Sequence, residues 1–116
     1  MTVTELLAQL ESDPESVEFT DVIAVIDSQY QFSETRFTNG DTTNDAGKNN
    51  GSCKILAFGQ QHQLSPEATL ACFGKIYFKE VLDNPDGSDH QNIRQFMIHG
   101  WRGVNFDHNP LSRINT

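Results

Sequence analysis

The stretch Ser65–Leu82, SPEATLACFGKIYFKEVL, has the apolar spacing of a helix that is covered on more than one side. One face carries Leu70, Phe73, Tyr77, Phe78 and Val81, and Thr69, Cys72 and Ile76 extend it. Ser65 can cap the amino end, and Pro66 suits the first helical position. Gly74 lies inside the stripe, where it lowers helix propensity by about 1 kcal/mol relative to Ala. We predict a core helix over residues 65–82, crossed closely at Gly74 by another segment.

Length and composition predict one domain with an acidic surface. The chain has 116 residues, a net charge of −8 and an apolar fraction of 36%, which suffices for one hydrophobic core. Its eight Lys and Arg residues are scattered singly, so binding to nucleic acid or to an anionic membrane is not expected. No apolar run approaches the roughly 20 residues that cross a bilayer, and no signal-peptide pattern is present. We therefore expect a cytoplasmic protein, and its oligomeric state stays open.

Four more segments are predicted to be helices around the central one. Their predicted bounds are residues 2–11, 14–30, 52–61 and 88–100. Asp13, Ser52 and Ser88 are the predicted N-caps, and Ser88 is expected to form a capping box with Gln91. Gly100 is predicted to end the last helix in a left-handed conformation.

The remaining segments predict a long polar loop and little strand. Residues 39–52 contain three Gly and four Asn, and loops of this length in compact domains are usually functional or mobile. A short strand or hairpin is allowed near Phe32 and Val104, and order is predicted to end at Asn109 and Pro110. The predicted fold class is mainly α: a single small domain of four to five helices with a long polar loop.

The first candidate site is the polar loop where it leads into a helix. Free backbone amides and two ammonium groups there could hold a phosphate or a carboxylate. The residues concerned are Gly47, Lys48, Gly51, Ser52 and Lys54. The P-loop pattern G-x-x-x-x-G-K-[ST] does not occur. The alternatives are a plain connection and a calcium site, although the spacing of Asp41, Asn44 and Asp45 does not fit a calcium loop.

The second candidate is Cys53, because the start of a helix can lower the pKa of a thiol. Any of the four histidines could act as its base, but no spacing selects one. We expect Cys53 and Cys72 to be reduced and neither to be a nucleophile. A small enzyme or metabolite-binding protein that uses Cys53, Lys54 and His90 remains the alternative to an interaction role.

The third candidate is the acidic turn that precedes the last helix, where Asp83, Asp86, Asp89 and His90 lie. Carboxylates at a helix start stabilise it by about 0.3–1 kcal/mol without any function. They have no recognised metal-ligand spacing, so we predict neither a metal site nor a cofactor. His90 is placed in the first helical turn after Ser88.

We expect the polar loop and the acidic turn to lie near each other and to form one polar surface. Its candidate residues are Asn39, Gly47, Lys48, Gly51, Ser52, Cys53, Lys54, Asp86, Asp89 and His90. Polar loops on a small scaffold can expose amides and carboxylates to a ligand or partner. The residues therefore favour a binding or interaction module over an enzyme, with a protein partner or a small anionic ligand.

Six blocks between Tyr30 and Leu111 carry a family likeness. They are Phe37–Gly40, Asn44–Gly47, Asn50–Lys54, Thr69–Gly74, Asp86–Arg94 and Gly100–Trp101. In this order they resemble the HopJ (HopPmaJ) type III effector family. The resemblance implies a small bacterial domain that is exported through a type III secretion system into plant host cells. It brings no catalytic residue that can be assigned to a position of this chain.

Overall fold

A computed structural model describes residues 1–114 as helices packed with two small antiparallel sheets. The α-helices are α1 (Val3–Ser12), α2 (Phe19–Gln29), α3 (Asn50–Gln61), α4 (Pro66–Ala71) and α5 (Gln91–His99). A π-helical segment covers Ile76–Val81, and 3₁₀ turns cover Pro14–Ser16 and Gly100–Gly103. The strands are β1 (Tyr30–Phe32), β2 (Phe37–Asn39), β3 (Thr42–Asn44), β4 (Val104–Phe106) and β5 (Leu111–Arg113). The fold is therefore mixed, and the prediction of a mainly α domain was too simple.

Each of the two sheets pairs a strand between residues 104 and 113 with strands between residues 30 and 44. In the first, β1 pairs with β5, and Phe32 lies opposite Leu111. In the second, β2 lies between β3 and β4, and Asn39 lies opposite Val104 in β4. Strands thus exist near Phe32 and near Val104, but they do not pair with each other: β1 pairs with β5, and β4 pairs with β2. The prediction that order ends at Pro110 was wrong, because β5 follows it.

The predicted polar loop over residues 39–52 is largely structured. Its first part turns β2 into β3 at Gly40, which has φ +58°, a backbone conformation that glycine adopts without steric cost. Asn39 and Asn44, which belong to the predicted polar loop, are 0% and 2% exposed. Only the short connection between β3 and α3 remains a loop, and it is ordered by the network described below.

The predicted helix over residues 65–82 is interrupted. It ends as α4 at Ala71, and the chain resumes as the π-helical segment at Ile76. Gly74 lies at the break with φ +61°, and a Cβ there would lie 2.8 Å from the backbone N of Phe19. The expected close crossing is thus confirmed, but the same glycine ends the helix.

Several helix ends differ from the predicted caps because local motifs compete with tertiary packing. Ser65 caps α4 as predicted, since its Oγ accepts from the backbone N of Ala68 at 3.1 Å. Gly100 ends α5 as predicted, but its φ of 60° and ψ of −151° are not the left-handed helical conformation that was expected. The predicted helix from Pro14 is a 3₁₀ turn followed by a break, and α2 begins only at Phe19. Asp13 makes no side-chain cap.

The other two predicted caps were also wrong. Ser52 lies inside α3, which Asn49 precedes, and Ser88 lies outside α5, which His90 precedes. The expected capping box is absent from α5. The side-chain amide of Gln91 instead donates from its Nε2 to the main-chain O of Ser88. His90 is consequently the N-cap residue and not part of the first turn.

The hydrophobic core is organised around α3 as much as around α4. Between Cys53 and Gly59, α3 buries every residue except Lys54. The largest fully buried side chains are Phe37, Phe58, Phe73, Phe96, Leu6 and Ile26, drawn from both helices and strands. Within residues 1–114, no helix has the length and apolar character needed to cross a membrane.

Candidate functional site

Buried asparagines join the β2–β3 hairpin to the start of α5. Nδ2 of Asn39 donates to the main-chain O of Asn92 at 2.7 Å and to its Oδ1 at 3.2 Å. Nδ2 of Asn44 donates to Oδ1 of Asn92 at 3.1 Å, and Nδ2 of Asn92 donates back to Oδ1 of Asn44 at 2.9 Å. Asn49, at the start of α3, adds a bond from its Nδ2 to Oδ1 of Asn44 at 2.7 Å. One network therefore fixes the starts of α3 and α5 against the hairpin.

Asparagine suits this position because its side chain is a donor and an acceptor without a charge. Each amide in the network can satisfy its neighbour, whereas a buried carboxylate would need a counter-charge. Oδ1 of Asn39 is the exception: it is buried and has no hydrogen-bond partner among the described residues.

An open cleft of about 440 Å³ lies where α3 and α5 begin. Its polar lining comes from Thr42, Asn49, Gly51, Ser52, His90, Gln91 and Asn92, and its apolar lining from Phe19, Phe73, Ile76 and Ile93. The segment leading into α3 and the turn leading into α5 thus meet at one face of the molecule.

Both helices that begin at the cleft do so without a side-chain cap. Their N-cap residues, Asn49 and His90, have left-handed backbones with φ of 55° and 50°, which is uncommon for residues other than glycine. In the part of the chain that the structure describes, four first-turn amides that line the cleft have no acceptor: those of Gly51, Ser52, Gln91 and Asn92. Free first-turn amides and the amino end of a helix dipole favour negative charge.

His90 borders the cleft and also contacts carboxylates. Its Nε2 lies 3.1 Å from Oε1 of Glu80 and 3.8 Å from Oδ2 of Asp89. The ring is half-buried, and its position follows from the left-handed backbone at the start of α5. His90 therefore lines the cleft with its ring held in place by Glu80 and Asp89.

Arg94 holds the turn that carries His90. Its Nε donates to the main-chain O of Asp89 at 2.6 Å, its Nη2 to Oδ1 of Asp89 at 2.7 Å, and its Nη1 to the main-chain O of Asn84 at 2.9 Å. The hydrogen bond from Arg94 lowers the pKa of the Asp89 carboxyl below its usual value. Asp89 therefore has a structural partner, and Arg94, absent from the candidate residues, orders the loop.

The position of Arg94 also explains why position 87 in the same turn is a glycine. A Cβ on Gly87 would lie 2.5 Å from Nη2 of Arg94 and 3.2 Å from the main-chain O of Asn84. Asp86, immediately before it, is exposed and does not line the cleft.

Lys54 lies at a different cleft, beside the first sheet. Its Nζ is 2.8 Å from Oδ1 of Asp27 and 5.1 Å from the centre of the Phe32 ring. The cleft there has a volume of about 690 Å³ and is also lined by Tyr30 and Arg113. Lys54 and His90 therefore do not share a cleft.

Three further candidate residues also lie away from the cleft. Gly47 and Lys48 form part of an exposed turn, and a Cβ on Gly47 would meet the carboxylate of Glu34 at 3.0 Å. Asn39 belongs to the buried network and is not accessible. Of the ten candidates, the structure brings Gly51, Ser52 and His90 together at the cleft.

The two cysteines are free and buried. Cys53 is 1% exposed and Cys72 is 0% exposed. Burial raises the pKa of the Cys53 thiol to about 11 and that of Cys72 to about 12. A nucleophilic cysteine needs the opposite shift. The helix-start effect considered for Cys53 is therefore outweighed by desolvation.

Groups of three or more His, Cys, Asp or Glu side chains that could hold a metal ion do not occur within residues 1–114. The carboxylates of the acidic turn are instead used in contacts with Arg94 and His90, as for Asp89, or lie in solvent.

The fold and the cleft define a small mixed α and β domain whose polar face is built around two helix starts. The family model described as HopJ type III effector protein matches residues 3–111, so the chain belongs to the HopJ family. This confirms the resemblance seen in the sequence.

A solved structure shares the whole fold. The crystal structure of the protein VPA0580, whose function is unknown, matches with a TM-score of 0.96 at 50% sequence identity. The match covers 98% of this chain and 95% of that chain. No match to a curated protein was found. The comparisons thus bring a family and a fold but no chemical activity.

Proposed function

We propose that this HopJ family member is a binding module whose cleft recognises an anionic group, a carboxylate or a phosphate, on a ligand or partner. The observation that carries the proposal is the convergence of two helices, α3 and α5, at one open cleft without side-chain caps. On this proposal, amides from both first turns donate to one bound anion. Such amides bind anions because they are preorganised and carry the positive end of the helix dipole.

The local charges support an anionic ligand in spite of the net charge of −8. Three carboxylates beside the two helix starts have hydrogen-bond partners: Asp89 accepts from Arg94, Glu80 contacts His90, and Glu34 accepts from Nδ2 of Asn50. Charged side chains more than about 10 Å away are screened at physiological ionic strength. The proposal takes the free amides of the two first turns as the groups that attract an anion.

Binding is favoured over catalysis because the reactive side chains are occupied or buried. Lys54 is paired with Asp27 at another cleft, and both thiols have raised pKa values. A covalent mechanism needs a nucleophile within hydrogen-bond reach of a base. His90, which could serve as a base, has carboxylates as its polar partners.

Family membership supports action in a host cell after type III export, and we include this in the proposal. It is tested by fusing the chain to a translocation reporter and comparing delivery from strains with and without a working type III secretion system. Equal delivery from both strains would remove export from the account.

A substitution that places a carboxylate in the cleft should abolish anion binding without lowering the stability of the protein. We expect Ser52→Asp to abolish binding of pyrophosphate and malonate in calorimetric titration, because the new charge occupies the site of the ligand. The same charge lies in the first turn of α3, where it should leave the free energy of unfolding unchanged or raise it by about 0.3–1 kcal/mol. Pyrophosphate and malonate distinguish phosphate from carboxylate recognition.

Thr4→Asp is the matched control. Thr4 is exposed in the first turn of α1 and does not line the cleft, so the variant carries the same extra charge in the first turn of another helix. It should bind both anions as the unmodified protein does. Equal weakening by the two substitutions would mean that overall charge, and not the cleft, controls binding.

A further inference from the structure

The apolar ridge, defined as Leu82, Met97 and Ile98, stands exposed beside the start of α5. These side chains are 42%, 43% and 70% exposed. All of them line one groove of about 320 Å³, together with the buried Val81 and with Pro85. Exposed apolar residues that occur singly are ordinary, but a joined set marks an interaction surface.

A second groove lies on the other side of the ridge. Its volume is about 440 Å³, and Met97 and Ile98 line it together with Leu70 and Phe96. The surface therefore consists of a projecting apolar edge between two depressions. This shape suits a segment whose apolar side chains are spaced to fill both grooves, as in helix-in-groove recognition.

The rim of the surface is acidic. Asp83 and Asp86 lie in the turn on either side of Pro85, and Glu67 lines the second groove. Across the described residues, none of these carboxylates forms an ion pair. Arg94 lines the first groove, but its guanidinium is bound to Asp89 and Asn84. A partner would therefore meet these three carboxylates around an apolar centre, with His99 also lining the second groove.

We propose that the apolar ridge docks an amphipathic segment of a partner protein that carries Lys or Arg beside its apolar side chains. The apolar side chains enter the two grooves, and the basic ones face Asp83, Asp86 and Glu67. A second copy of this chain fits poorly, because a two-fold contact would place one acidic rim against the other. The ridge does not line the anion cleft, so this proposal stands without it.

The test uses a synthetic amphipathic helix built from Leu and Lys, and the same peptide with Glu in place of Lys. Fluorescence anisotropy should show binding of the Lys peptide and at least about tenfold weaker binding of the Glu peptide. Ile98→Asp should weaken the Lys peptide by about tenfold or more, even though it makes the protein more acidic. Ile114→Asp, at another exposed isoleucine, adds the same charge and should leave binding unchanged or tighter.

Three outcomes overturn the proposal. Undiminished binding of the Lys peptide to Ile98→Asp would show that attraction is merely electrostatic. Equal binding of the Glu peptide would remove the role of the acidic rim. Concentration-dependent dimers in sedimentation that Ile98→Asp abolishes would assign the ridge to a second copy of the chain.

Discussion

Replacing Gly74 with alanine is expected to lower the free energy of unfolding by about 3 kcal/mol. The residue has φ +61°, where an L side chain is strained, and its Cβ would lie 2.8 Å from the backbone N of Phe19 and 3.1 Å from the main-chain O of Val17. Both neighbours are backbone atoms, so they cannot rotate away. The turn between α4 and the π-helical segment and the start of α2 would have to separate. Urea denaturation monitored by circular dichroism gives the value directly.

Gly47→Ala serves as the control for backbone strain alone. Gly47 has φ +87°, but the nearest atoms to its Cβ belong to the flexible carboxylate of Glu34, at 3.0 Å. We expect this variant to lose about 1 kcal/mol, as for a glycine replaced at a left-handed position. If both alanines cost the same, the close crossing at Gly74 does not restrain the fold.

Asn92→Ala should lower the free energy of unfolding by about 3 kcal/mol and should also weaken anion binding. The substitution removes the side chain that bonds to Asn39 and Asn44 at 3.2, 3.1 and 2.9 Å. Each bond contributes about 1 kcal/mol, and the buried amide of Asn44 is left with a long contact of 3.5 Å to the main-chain O of Phe37. Because the network fixes the start of α5 against α3, the cleft should lose its geometry as well.

Two measurements distinguish the loss of the asparagine network from a general loss of stability in α5. Gln91→Ala, at the neighbouring exposed position, removes one side-chain hydrogen bond to Ser88 and should lower stability by no more than about 1 kcal/mol. Asn44→Ala combined with Asn92→Ala should cost less than the sum of the single changes, because both remove shared bonds. Strict additivity of the two substitutions would contradict a coupled network.

Features fixed by local chemistry could be predicted from the sequence. The cap at Ser65 and the end of α5 at Gly100 depend on a few adjacent residues, and both are present. The interruption at Gly74 could not be found from periodicity, because apolar residues continue at helical spacing on both sides of it. Strands were allowed near Phe32 and Val104, where β1 and β4 lie. The other three strands were not predicted, since each has three residues and so short a segment gives little periodicity.

Part of the candidate site could be predicted, again because local sequence signals mark it. Gly51, Ser52 and His90 stand beside turn and helix signals, and the cleft contains them. The asparagine network joins residues 48 and 53 positions apart, so no local pattern reveals it. The role of Arg94 could not be predicted either. Its spacing in the sequence suggests the surface of a helix, and only the folded turn shows that it binds Asp89 and Asn84. Lys54 was placed with the site because it follows Ser52 closely, but helical rotation takes it to Asp27.

The most direct test of the proposed function is a titration of the isotopically labelled protein with pyrophosphate, followed through its backbone amide resonances. The account predicts that the largest shifts occur at Gly51, Ser52, Gln91 and Asn92, the unpaired amides of the two helix starts at the cleft. Shifts at both helix starts with one common dissociation constant would show a single site. Shifts confined to the surroundings of Lys54 and Arg113, or none at these four amides, would contradict it.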